Sequence, residues 1–107
     1  MAGAPISVMA SQLSGVVRGV HGRPCHLVGG QAHSTEVGVA YLVFFDRTTA
    51  NVTLGTTVPT WFLSVSPGDN DPVRGGPVAF STALSIAAVT APTGATGANI
   101  HLNITIE

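Results

Sequence analysis

The sequence predicts a single all-β domain, a sandwich or jelly roll over residues 14–107, preceded by an extended arm over residues 1–13. Apolar residues either alternate or run on without helical spacing, and Gly or Pro interrupts most windows of helical length. Short apolar runs recur at regular intervals between Gly/Pro-rich turns. A length of 107 residues is enough for one hydrophobic core and too short for two full-sized domains.

The first dozen residues, "MAGAPISVMASQ", carry little packing pattern and read as an arm that a neighbouring subunit would order. "SGVVRGV" (14–20) and "CHLV" (25–28) are expected strands. The strongest strand is "EVGVAYLVFFD" (36–46). Val37, Val39, Tyr41, Val43 and Phe45 share one face, and Gly38, Ala40, Leu42 and Phe44 the other, so both faces are expected to be buried over its second half. That places it centrally. "VPTWFLSV" (58–65), "VAFS" (78–81) and "LSIAAVT" (84–90) follow, separated by the turn-rich "SPGDNDPVRGGP" and "APTGATGA". The final run, "NIHLNITIE", alternates cleanly: Ile100, Leu102, Ile104 and Ile106 on one face, Asn99, His101, Asn103, Thr105 and Glu107 on the other.

Charged residues make up 8 % of the chain, against roughly a quarter in an average soluble domain. There is no lysine, and Arg18, Arg23, Arg47 and Arg74 are scattered singly, for a net charge of -1. No basic patch is available for nucleic acid or an anionic membrane. Such low charge gives little colloidal protection and suits a chain held in an assembly. A single cysteine, Cys25, excludes an intrachain disulfide. No window approaches the roughly 20 apolar residues of a membrane span, and "MAGAPISVMASQLSG" lacks the basic and apolar regions of a secretory signal. The expectation is synthesis in the cytoplasm, which makes the Asn51-Val-Thr and Asn103-Ile-Thr glycosylation patterns coincidental.

His21, Cys25, His26 and His33 are the one concentration of metal-ligand types, but they lack the paired hooks of a zinc site. Cys25 and His26 are adjacent and so expected on opposite faces of a strand. Core cysteine and surface or interface histidines are the preferred reading, with no metal or cofactor. A nucleophile-base pairing of Cys25, a histidine and Asp46 has no local signature, and few titratable groups are present to tune one. No catalytic residue is assigned, and no small-molecule substrate is expected. Asp69, Asn70 and Asp71 in "SPGDNDP" fall short of a calcium loop and read as a turn around Pro67, Gly68 and Pro72. "GGPVAFSTALSIAAV" (75–89) has no phosphate-binding motif. Among the aromatics, Trp61 is the candidate for a subunit interface or a sugar platform, the core side of its strand being undecided between Pro59/Trp61/Leu63 and Val58/Thr60/Phe62/Ser64.

From Ala40 onward the order of these features resembles the C-terminal part of small virion proteins of tailed bacteriophages. A hydrophobic strand ends in Phe45-Asp46. Gly55, Thr56 and Pro59 lead into Trp61–Val65, closed by Pro67-Gly68. Gly75, Gly76, Phe80 and Leu84 follow, with Ala83 where the family tends to have Gly, then a Thr/Gly/Ala loop and the alternating final strand. The N-terminal segment, with its histidines and Cys25, departs from that pattern.

The resemblance implies a jelly-roll-like antiparallel β-sandwich that is a structural part of the particle. Its expected role is a capsid decoration (cement) protein on the outer surface of the head, a homotrimer bridging the major capsid protein. Pro5, Ile6, Ser7, Val8 and Met9 of the arm are expected to touch the capsid or a neighbouring subunit. Trp61, Val78, Phe80 and Leu84 are expected at the subunit interface, with the small residues Ala79, Ser81, Ser85 and Ala87 admitting a neighbour. A tail, head-fibre or baseplate component is the alternative within the virion. A carbohydrate-binding module is the alternative outside it.

Overall fold

A computed structural model describes residues 6–13, 17–66, 70–73 and 78–106. Among the described residues nine strands run in order: β1 (Ile6–Leu13), β2 (Arg18–His21), β3 (Cys25–Ser34), β4 (Ala40–Phe45), β5 (Trp61–Val65), β6 (Asn70–Val73), β7 (Val78–Phe80), β8 (Leu84–Val89) and β9 (Ile100–Ile106). One 3-10 turn, Thr49–Asn51, interrupts the loop after β4. The larger sheet has the order β1-β9-β3-β6, with β7 also beside β3; the smaller has the order β2-β8-β4-β5. Every pairing is antiparallel. Together the sheets form the sandwich.

Period-2 patterning decides what fills the space between them. Ile100, Leu102, Ile104 and Ile106 of β9 are buried, while His101 and Asn103 are exposed. Facing them from the smaller sheet are Ala40, Leu42 and Phe44 of β4 and Leu84, Ile86 and Ala88 of β8. The opposite sides of β4 and β8 are covered as well. Val43, Phe45, Ala87 and Val89 form a second buried cluster, roofed by Val17, Val52 and Leu54. The loop after β4 therefore folds back over its own sheet, and both faces of β4 are buried as its sequence predicts. At roughly 1.5–3 kcal/mol for each large aliphatic side chain removed from water, this roof is a substantial part of the driving force.

Strand β3 runs well past the expected "CHLV". Leu27 pairs with Ile106 and Gly29 with Thr105, so Val28 is an extra residue, a β-bulge, and is left 41 % exposed. The bulge moves the inward set from Cys25 and Leu27 to Ala32 and Ser34. Gly30 then lies against Ile104 with a φ of +152°. A Cβ there would overlap the Asn103 carbonyl oxygen and lie 2.7 Å from Ile104 Cα.

Several expectations need correction. The strand expected over 36–46 begins at Ala40: Glu36 N–H donates to Ser34 Oγ at 3.1 Å, the chain bends, and Val37 is fully exposed. The strand expected over 58–65 begins at Trp61, after Pro59. Part of "SPGDNDP" is a strand, since Asn70–Val73 pairs with β3 at the sheet edge, where Pro72 is tolerated; residues 67–69 lie outside the described residues. The expected arm is paired within its own chain, with Ile6 opposite Ile106 and Val8 opposite Ile104. Extended backbone beside the apolar strand β9 gains ladder hydrogen bonds there without waiting for a neighbour.

Candidate functional site

The densest polar constellation surrounds Asp46, where β4 ends. Phe45 is buried in the outer cluster, and the next residue emerges beside the turn between β7 and β8. One carboxylate oxygen accepts from Ser81 N–H at 3.0 Å and Ser81 Oγ–H at 2.8 Å. The other accepts from Thr82 N–H at 2.7 Å and Ala83 N–H at 3.2 Å. Three successive backbone N–H groups converging on one anion make the kind of concavity that holds negative charge. Asp46 N–H donates to Thr60 Oγ1 at 2.9 Å, and Thr60 N–H donates to the Phe44 carbonyl at 2.8 Å, so β5 is fastened to the same point. Burial alone would raise the Asp46 carboxyl, but the bonds from Thr82, Ser81 and Ala83 outweigh it and hold the group below its ordinary value.

Beside this knot lies a polar groove of about 510 Å3 lined by Asp46, Arg47, Thr48, Asn51, Val58, Thr60 and Thr82. Ser85, a buried hydroxyl, donates to the Arg47 carbonyl at 2.7 Å and pins the floor of the groove to β8. A second acid does similar work at the other end of the sandwich. Glu36 Oε2 accepts from Asn99 N–H at 3.2 Å, and the Asn99 carbonyl accepts from Thr35 N–H at 3.1 Å, which joins the end of β3 to the start of β9. Both carboxylates are spent on backbone N–H groups.

The histidine and cysteine set is dispersed. His21 is on β2 in the smaller sheet; Cys25, His26 and His33 are on β3 in the larger. Cys25 is buried and His26 exposed, on opposite faces. Among the described residues, no three of His, Cys, Asp and Glu come together as a metal site. Burial, joined by the charge of Asp46, pushes the Cys25 thiol above its ordinary value, which leaves a neutral, weakly nucleophilic group. In the native protein Cys25 is expected to react with a disulfide reagent at pH 7 on the order of a hundredfold more slowly than in denaturant. Equal rates in a thiol-release assay would contradict that placement.

The four residues expected at a subunit interface separate. Phe80 and Leu84 are 1 % and 0 % exposed within one chain, so they have no surface left to give a partner and belong to the core. Ser85 and Ala87 are likewise covered by the chain's own loop and cannot receive a neighbour. Trp61 and Val78 are half-buried against the core, Trp61 with its ring centroid 5.0 Å from that of Phe44. The inward side of β5 is therefore Trp61, Leu63 and Val65. Phe62 points outward, 48 % exposed, edge-on to Tyr41 at 6.2 Å. Of the arm residues, Pro5 lies outside the described residues, and Ile6, Ser7, Val8 and Met9 sit in β1.

Two features escaped the sequence reading. Phe62, and not Trp61, is the exposed aromatic, and Asp46 is a structural tie. The alternation in "WFLSV" allowed either face of β5 to be core, and only the register Val43–Phe62 decides it. The Ser81-Thr82 pair after an apolar strand was the available signal for a carboxylate-bound turn. No family model, curated protein or solved structure matches the chain.

Proposed function

We propose that this chain is a structural virion protein, a decoration (cement) protein bound as a homotrimer to the outside of a bacteriophage head. The reading rests on the resemblance from Ala40 onward, and the pattern of strand pairing supports its fold. β1 pairs with β9, β2 with β8, β3 with β6 and β7, and β4 with β5. Counting β6 and β7 as two pieces of one strand, this is a single long hairpin ribbon with its tip between β4 and β5, wrapped so that successive pairs fall in alternate sheets. That order supports a jelly-roll reading of the sandwich, an architecture used by capsid and lectin domains.

The observation that carries the binding role is the surface beside β5. β5 ends its sheet, with no strand partner on its outer edge among the described residues; Phe62 on its outward face is 48 % exposed, and Val58 ahead of β5 and Val39 ahead of β4 are 75 % and 52 % exposed. An open strand edge with exposed apolar residues around it is a template for association. In this reading β5, with Trp61 behind it, joins the subunits. The outer edge of β1, Ile6 to Met9, adds a strand contact to the major capsid protein. Three weak contacts act as one tight one once the subunits are joined. The reading needs no catalytic group, cofactor, nucleic acid, membrane or small-molecule substrate.

Native mass spectrometry is expected to give a trimer, and Phe62→Ser is expected to raise its dissociation constant at least about tenfold. Reconstruction of the particle should then place density at local three-fold positions of the head. A monomer at tens of micromolar, or density on the tail alone, would overturn the proposal. The groove lined by Thr48, Asn51, Thr60 and Thr82, together with the exposed Phe62 edge-on to the half-buried Tyr41, favours a second reading, a carbohydrate-binding module. Glycan binding by a monomer, lost in Asn51→Ala or Phe62→Ser, would select it.

A further inference from the structure

The bulge at Val28 sets the outward residues of the distal half of β3, and one of them is His33. Directly opposite on β9 stands His101. Their ring centroids are 6.3 Å apart and their planes are tilted by 35°. His33 Nδ1 is shut off from solvent and, among the described residues, has no hydrogen-bond partner. A shielded nitrogen without a partner needs a physical explanation.

We propose that His33 and His101 form a two-histidine site for a divalent transition-metal ion of the imidazole-preferring kind, copper, nickel or zinc. An ion held at about 2.0–2.1 Å by one nitrogen of each ring keeps the centroids roughly 5–6 Å apart, so a small rotation of either side chain brings both nitrogens onto one ion. Directly paired residues on neighbouring strands have Cβ atoms about 4.5–5.5 Å apart, which gives the pair a fixed base. The ion takes up the lone pair of His33 Nδ1. Among the described residues no third His, Cys, Asp or Glu joins the pair, so water fills the remaining positions and the ion exchanges readily. Softness and ligand type set the preference: Cu2+ binds more tightly than Ni2+, and Mg2+ does not compete. The ion ties β3 to β9 at the centre of the larger sheet and is coupled to folding.

Titration of the folded protein with Cu2+ and Ni2+ tests the site. One ion per chain is expected, with a rise in melting temperature, and His33→Asn and His101→Asn are each expected to weaken binding at least tenfold. His26→Asn, on the other side of the bulge, is expected to leave it unchanged. No saturable binding of Cu2+, binding unaffected by both substitutions, or equal competition by Mg2+ would overturn the proposal. Paramagnetic broadening of the unaltered protein by Cu2+ gives an answer that does not depend on the variants folding. Backbone resonances of Ala32 to Ser34 and Ile100 to Leu102 are expected to broaden first. Earlier broadening around His21 or His26 would place the ion elsewhere and refute the site.

Discussion

Replacing Gly30 with alanine is expected to destabilise the protein by about 3 kcal/mol, or to prevent folding altogether. Two costs coincide at this position. Its φ of +152° is one that side chains rarely adopt, and the added Cβ would overlap the Asn103 carbonyl oxygen and crowd Ile104 Cα. Both obstacles are backbone of β9, the central strand of the larger sheet, so no side-chain rotation relieves them. The loss corresponds to a fall of roughly 15 °C in melting temperature for a domain of this size. Gly38→Ala is the matched control, because a Cβ there meets nothing within 4 Å, and it is expected to change stability by less than about 0.5 kcal/mol. Urea unfolding of the two variants checks the pair. If Gly30→Ala behaved like Gly38→Ala, the close approach of β3 to β9 would be wrong.

Asp46→Asn is expected to cost about 2 kcal/mol at pH 7. The amide keeps one accepting oxygen and turns an NH2 toward N–H groups that need an acceptor. The effect is also pH-dependent. The folded protein holds the Asp46 carboxyl below its unfolded value, which is about 3.9. Its contribution is therefore fully present above that pH and is lost as the pH falls through the native value. The difference in melting temperature between Asp46→Asn and the unaltered protein should accordingly be constant from pH 7 to 5 and shrink below about pH 4. A difference that persisted undiminished at pH 2 would remove the carboxylate from the account.

Where one face of a strand is buried, the sequence announces it. Ile100, Leu102, Ile104 and Ile106 spelled out β9, and the unbroken run Leu42–Phe45 announced a strand covered on both sides. Pairing over long sequence separations was not visible in that way. β1 has no pattern of its own to read and is recruited by a strand some ninety residues away. The distal half of β3 was hidden because Val28 breaks the alternation and Gly29 and Gly30 read as a turn. Residues 70–73 were hidden because Pro72 and the polar Asn70 and Asp71 favour a loop unless an edge position is available. The same limit applies to the polar groups. Phe45-Asp46 was legible as a feature, but its partners Ser81 to Ala83 come from the far side of a turn. His101 was legible as outward-facing, but its place opposite His33 depends on the bulge.

The position of β9 has a consequence for how the chain is made. Strand β9, the furthest along the chain of the strands described, is an interior one, with β1 on one side and β3 on the other. Until β9 is in place, β1 lacks this partner and β3 is unpaired along most of one edge, with the apolar interior of the sandwich uncovered. Closure of the larger sheet therefore waits for β9, and the non-local pairings that close the ribbon make folding slow for a domain of this size. A nascent or truncated chain presents open strand edges to its neighbours, so the interval before closure is when misassembly would compete.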